Sequence, residues 1–260
     1  MLVVLLSTVL SVLACSYVGL RMLSLSRRTG KLPELGMGLG LSAFALTQVC
    51  RLVLGGLGDR LDPELMLGVY VFMQVAYLLA QLGLCLFTVG AFGLRSHWRW
   101  TLLVALVALG ALSRTMMVQA WAPRLLSGAP IQMAQFWDMV SVASFALAFG
   151  WMAVESLHYH GLLRRRLALG LADPVVVNRF FVWGAGAAAT SILVLLLLGL
   201  YLQGITLLGN SLVASVLVTV SGVVMAVVPW LTFAPPGVYL RFVQQRADPE
   251  TRAEKEDQCS

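Results

Sequence analysis

Leu65–Gly93 reads LMLGVYVFMQVAYLLAQLGLCLFTVGAFG and contains no charged side chain. As a single α-helix at about 1.5 Å per residue it is long enough to cross the roughly 30 Å hydrocarbon layer of a membrane. At 3.6 residues per turn, Tyr70, Gln74, Tyr77, Gln81, Cys85 and Thr88 fall on one stripe, and Phe72, Val75, Leu79, Leu82 and Leu86 fall opposite. An amide or phenol without a partner is costly in hydrocarbon, so the polar stripe must face the interior of a helix bundle or a hydrated cavity. The opposite stripe is expected to face lipid.

Outward from this helix, six further apolar segments are long enough to span: 2–25, 35–56, 98–121, 132–158, 179–202 and 210–234. The chain is 59% hydrophobic and only 12% charged, with a mean hydropathy of +0.86, against about 25% charged residues in a soluble domain. The fold class is therefore all-α, a polytopic membrane protein with seven transmembrane helices. Residues 1–247 form the bundle with a short C-terminal interfacial helix, and 248–260 are expected to be a disordered cytoplasmic tail, being charged and poor in apolar residues. The first apolar run lacks a basic n-region and is followed by Arg27 and Arg28, so it reads as a retained helix rather than a signal peptide.

A net charge of +6 invites a nucleic-acid reading, but the positions of the charges point elsewhere. Arg21, Arg27, Arg28 and Lys31 follow the first helix and Arg95 and Arg99 the third. Arg164, Arg165, Arg166 and Arg179 surround the fifth-to-sixth connection, and Arg241 and Arg246 follow the seventh helix. The alternate connections carry only Arg60 and Arg124. The positive-inside rule then places the N-terminus outside and the C-terminus in the cytoplasm of an inner membrane, with anionic lipid headgroups as partners of the basic loops and no role for nucleic acid.

Small residues mark packing faces: Gly36, Gly38 and Gly40 in the second segment, Gly184, Ala187, Ala188 and Ser191 in the sixth, and Ser211, Ser215, Thr219 and Gly222 in the seventh. The fifth helix is expected to continue past the membrane through Leu162 to Leu169 until Gly170 and Asp173-Pro174 stop it. Pro229 should kink the seventh helix and Pro235-Pro236 end it, after which Val238, Tyr239, Phe242 and Val243 make a short amphipathic turn along the inner membrane surface.

Arg51, Arg114 and Asp138 are charges placed deep in apolar segments, and counting along each helix brings them level with Tyr70 and Gln74. Such charges normally face inward and pair. The expectation is an outward-open pocket of Arg51, Arg114, Asp138, Gln48, Tyr70, Gln74, Tyr77 and Trp137. Two cations against one acid leave excess positive charge suited to a carboxylate or phosphate. The competing reading is a structural ion pair with the second arginine snorkelling to the surface.

Other chemistry finds little footing. Cys15, Cys50, Cys85 and Cys259 form neither a disulfide framework nor a metal pattern. Glu155-x-x-His158 has the spacing of a di-iron bundle ligand pair, but lacks the second copy and the further acids such a site needs, so interfacial anchoring or pairing with a nearby arginine is the better reading. Lys31 and Lys255 both lie outside the helices, which leaves no lysine for a retinal-type Schiff base. No cofactor, metal site or catalytic motif is indicated.

Three stretches carry a resemblance: Arg28-Thr29-Gly30-Lys31-Leu32-Pro33-Glu34-Leu35, Gly170-Leu171-Ala172-Asp173-Pro174-Val175-Val176-Val177-Asn178-Arg179-Phe180, and Phe233-Ala234-Pro235-Pro236-Gly237-Val238-Tyr239. They resemble segments of uncharacterised bacterial seven-helix integral membrane proteins, which are similar to the membrane sensor modules of bacterial signalling proteins. The resemblance implies a seven-helix membrane fold and brings no site residues with it. The expected function is a receptor-like sensor that binds a small anionic ligand in its outward pocket and signals to a cytoplasmic partner through Leu162 to Arg179. The alternatives are a small-molecule transporter, which needs a polar path from Gln74 through Gln81 and Thr88, and a structural assembly protein without ligand.

Overall fold

The computed structural model describes residues 2–57, 60–93, 96–127, 134–203 and 212–247. Asp59, Arg95, Gln132, Ser211 and the tail from Asp248 lie outside the described residues. Seven helices are long and apolar enough to cross a membrane: α1 (Leu2–Thr29), α2 (Leu32–Leu57), α3 (Pro63–Phe92), α4 (His97–Ser127), α5 (Ala134–Ala168), α6 (Pro174–Leu202) and α7 (Leu212–Phe233). A shorter α8 (Gly237–Ala247) follows. Each of the seven long helices packs on its neighbours in chain order, α7 returns to α1, and α3 reaches across to α5, so the bundle is a closed ring with α3 partly inside it, while α8 packs on α6.

The boundaries follow from local chemistry. Gly30 and Gly170 are described with positive φ, 65° and 69°, a backbone that L side chains avoid. At the end of α5 the Leu171 N–H donates to the Arg166 carbonyl at 2.9 Å across Gly170, a Schellman-type closure. Helix α5 thus does run past the membrane segment, as its sequence predicts. Helix α6 starts on Asp173, whose carboxylate accepts the Val175 N–H at 2.8 Å.

The glycines of α2 divide between two partners. A Cβ on Gly36 would lie 2.5 Å from the Phe87 nitrogen and 2.8 Å from the Gly83 carbonyl of α3, whereas one on Gly38 would lie 2.7 Å from the Leu23 nitrogen of α1. Backbone therefore touches backbone on both sides of α2, the arrangement that small residues permit in lipid. Gly184 meets Ser156 and Leu157 of α5, and Gly222 meets Ser7 of α1. Ser215 does not belong to such a face; it is exposed, and Ala214 is buried instead.

The lipid-facing stripe expected for α3 needs a correction. Phe72, Val75 and Leu79 are exposed, but Leu82 and Leu86 pack against a cluster of Cys85, Val89, Leu103 and Leu106 formed with α4. Because α3 contacts α2, α4 and α5, its lower half is covered on more sides than a peripheral helix would be. Helix α7 runs through Pro229, which has no N–H to give the Met225 carbonyl. The Cys15 thiol of α1 donates to that carbonyl at 3.3 Å in its place.

Candidate functional site

At the end of the bundle opposite the basic loops, four helices bring polar side chains together around Tyr77. Arg114 of α4 is only 6% exposed. Its Nη1 donates to Gln74 Oε1 at 3.2 Å, and its guanidinium carbon sits 4.9 Å from the centre of the Tyr77 ring. A neutral acceptor and an aromatic face thus touch the guanidinium, and its Nε lacks a hydrogen-bond partner among the described residues. Arg51 of α2 is exposed, and a side-chain hydrogen bond links it to the Tyr77 hydroxyl. Asp138 of α5 is within electrostatic range of both arginines, and Tyr70 within range of Arg114.

Of the residues expected at this site, the structure brings together Arg51, Arg114, Asp138, Tyr70, Gln74 and Tyr77. Trp137 is half-buried and stacks edge-on against its neighbour Phe136 at 5.1 Å, and no described contact ties it or Gln48 to the arginines. Trp121, which the sequence reading omitted, packs its ring 5.9 Å from that of Tyr70. Helix α4 reaches Ser127 rather than residue 121. Arg114 is thus further from the helix end than the sequence count implies, and its level is fixed by Gln74 and Tyr77.

Further along α3 the polar stripe stops lining anything open. Gln81 is fully buried, donates from Nε2 to the Leu106 carbonyl at 2.9 Å, and faces Gly110, where a Cβ would come 2.5 Å from Oε1. Thr88, also fully buried, donates to the Leu84 carbonyl of its own helix at 2.9 Å. Below it the rings of Phe87, Phe92, Tyr159, Phe180, Trp183 and Phe233 pack edge to face, with centroids 4.8 to 6.3 Å apart. These contacts join α3, α5, α6 and α7 at the basic end.

The basic end also holds a buried ion pair. Arg99 of α4 grips Glu155 of α5 through two parallel bonds, Nε to Oε1 at 2.8 Å and Nη2 to Oε2 at 2.9 Å, while its Nη1 donates to the Phe92 carbonyl at the end of α3 at 2.8 Å. A side chain at Gly93 would collide with Arg99 Nη1. Trp151 adds an N–H toward Glu155 at 3.5 Å. Glu155 is therefore committed to an arginine, and His158 is exposed. His160 turns its Nδ1 to the Val177 carbonyl of α6 at 3.0 Å.

Fold and site together define a multi-pass seven-helix membrane protein with a cluster of one buried and one exposed arginine at one end and a bidentate ion pair at the other. Compared with protein-family models, curated proteins and solved structures, the chain matches none.

Proposed function

We propose that the chain is a receptor-like membrane sensor whose Arg51–Arg114–Tyr77 cluster binds a small anion and whose α5–α6 connection, Leu162 to Arg179, passes the change to a partner on the basic side. The observation that carries this reading is the state of the two arginines: one buried against Gln74 and the Tyr77 ring, the other exposed beside it on the same tyrosine, with Asp138 the one acid among the described residues in range of both. Asp138 balances one positive charge, and a carboxylate or phosphate would balance the second through paired N–H donors. The resemblance of the loop segments to bacterial sensor modules supports the same reading. A transporter is less well supported, because Gln81 and Thr88 spend their donors on backbone carbonyls and aromatic rings fill the basic end.

The test uses the purified protein in detergent, titrated with inorganic phosphate and with short carboxylates. A binding anion is expected to raise the melting temperature, since a ligand at 100 times its Kd adds about 2.7 kcal/mol. Arg51→Gln should leave the ligand-free melting temperature nearly unchanged, Arg51 being exposed, and abolish the rise. If none of these anions shifts the transition, the sensor reading loses its ligand. Uptake of a stabilising anion into proteoliposomes would move the assignment to a transporter.

The orientation belongs to the same proposal: the basic end faces the cytoplasm and the arginine cluster faces outward. Cys15, Cys50 and Cys85 are buried, so a membrane-impermeant thiol reagent reports on Cys259. Cys259 is expected to stay unlabelled in intact cells and to react after lysis. Labelling before lysis reverses the two sides.

A further inference from the structure

Beyond Glu155, α5 continues for about 20 Å, taking thirteen residues to Ala168 at about 1.5 Å each. This extension carries Arg164, Arg165 and Arg166, all exposed, and Arg179, near the start of α6 on the same hairpin, is exposed as well. Gly161, Arg164, Arg165 and Ala168 line one open recess on α5, and a Cβ at Gly161 would meet nothing within 4 Å. From Glu155 onward, the acids among the described residues of α5, α6, their connection and α8 are Glu155 and Asp173. The first is held by Arg99, and the second accepts the Val175 N–H. The four exposed arginines of this hairpin, a cationic ridge, thus stand in excess over the one acid, Asp173, that the described residues of these elements leave unpaired by an arginine.

The segment that follows α8 has the opposite character. Residues 248–260 contain five acids (Asp248, Glu250, Glu254, Glu256 and Asp257) and two bases (Arg252 and Lys255), a net charge of −3 from 2 minus 5. Helices α5 and α7 traverse the bundle in the same direction, so the residues after α7 emerge at the same end as the ridge. Helix α8 packs on α6, where the Asn178 amide donates to the Tyr239 hydroxyl, and Asn178 adjoins Arg179. Thirteen residues can extend at most roughly 43 Å from Ala247, more than twice the length of the α5 extension.

We infer that residues 248–260 dock on the Arg164–Arg165–Arg166–Arg179 ridge, so that this chain covers its own basic surface. The contact consists of arginine–carboxylate pairs on an exposed surface, and it is therefore weak, salt-labile and displaceable. It does not depend on a ligand at the opposite end of the bundle. In the sensor reading it shields the α5–α6 connection until something stronger competes for it.

The experiment places spin labels at Cys259 and at Ala168→Cys in the full chain in neutral detergent and measures their separation by pulsed dipolar spectroscopy. The expected result is a short-distance population in low salt that disappears near 1 M salt, where the Debye length falls to about 3 Å. The same population should vanish when the five tail acids are replaced by Asn or Gln. Replacing Arg164, Arg165 and Arg166 by Gln should have the same effect. An identical distance distribution in the wild type and the neutralised tail overturns the proposal. So does a ridge variant that weakens capture by anionic-lipid vesicles while leaving the label distance unchanged, because the ridge would then serve a lipid surface.

Discussion

Glu155→Gln is expected to destabilise the bundle by about 3 kcal/mol, read as a fall in the unfolding free energy in detergent. The side chain of Glu155 is 8% exposed and that of Arg99 20%.

 Replacing the carboxylate by an amide leaves the Arg99 guanidinium between three helices with the Phe92 carbonyl and a single amide oxygen as acceptors and no negative charge. Breaking a buried pair costs about 3 to 5 kcal/mol, and the partial exposure of Arg99 sets the lower end. A double variant, Glu155→Leu with Arg99→Met, should recover most of the loss, since no charge is then left unpaired. If Glu155→Gln melts with the wild type, the pair contributes nothing, and the joint between α3, α4 and α5 rests on the aromatic rings alone.

This pair also shows how far the sequence could be read. Seven spans, the extension of α5 past the membrane and the glycine contacts of α2 were legible, because helix length, apolar period and missing side chains are local properties. That Glu155 pairs with an arginine was legible as a class of contact. That the arginine is Arg99 was not, because the choice depends on how α4 sits against the end of α3, where Gly93 leaves room for the guanidinium. The same limit applies at the other end. Arg51, Arg114, Asp138, Tyr70, Gln74 and Tyr77 converge as the stripe on α3 predicts, whereas Trp137 and Gln48 lie beside the cluster without a described contact to it. Helix rotation of a few tens of degrees decides such cases, and periodicity alone does not fix it.

Asp138→Asn is expected to cost about 3 to 5 kcal/mol, the penalty for leaving a buried cation uncompensated. Asp138 lies within electrostatic range of both Arg51 and Arg114, but the two arginines differ in exposure, so the cost should fall mainly on Arg114. It is 6% exposed, and Gln74 and the Tyr77 ring supply no negative charge to replace the carboxylate. Arg114→Gln in the Asp138→Asn background should therefore restore much of the stability, while Arg51→Gln in that background should restore little. The readout is a double-mutant cycle on unfolding free energy, in which contacting charges couple by about 0.5 to 3 kcal/mol. Added phosphate should rescue Asp138→Asn more than the wild type, because the anion then compensates two cations instead of one. A cycle without coupling, in a protein whose stability ignores all three changes, would mean that each charge is satisfied separately. The cluster would then hold helices together without presenting a binding site, and the structural reading of the bundle would replace the sensor.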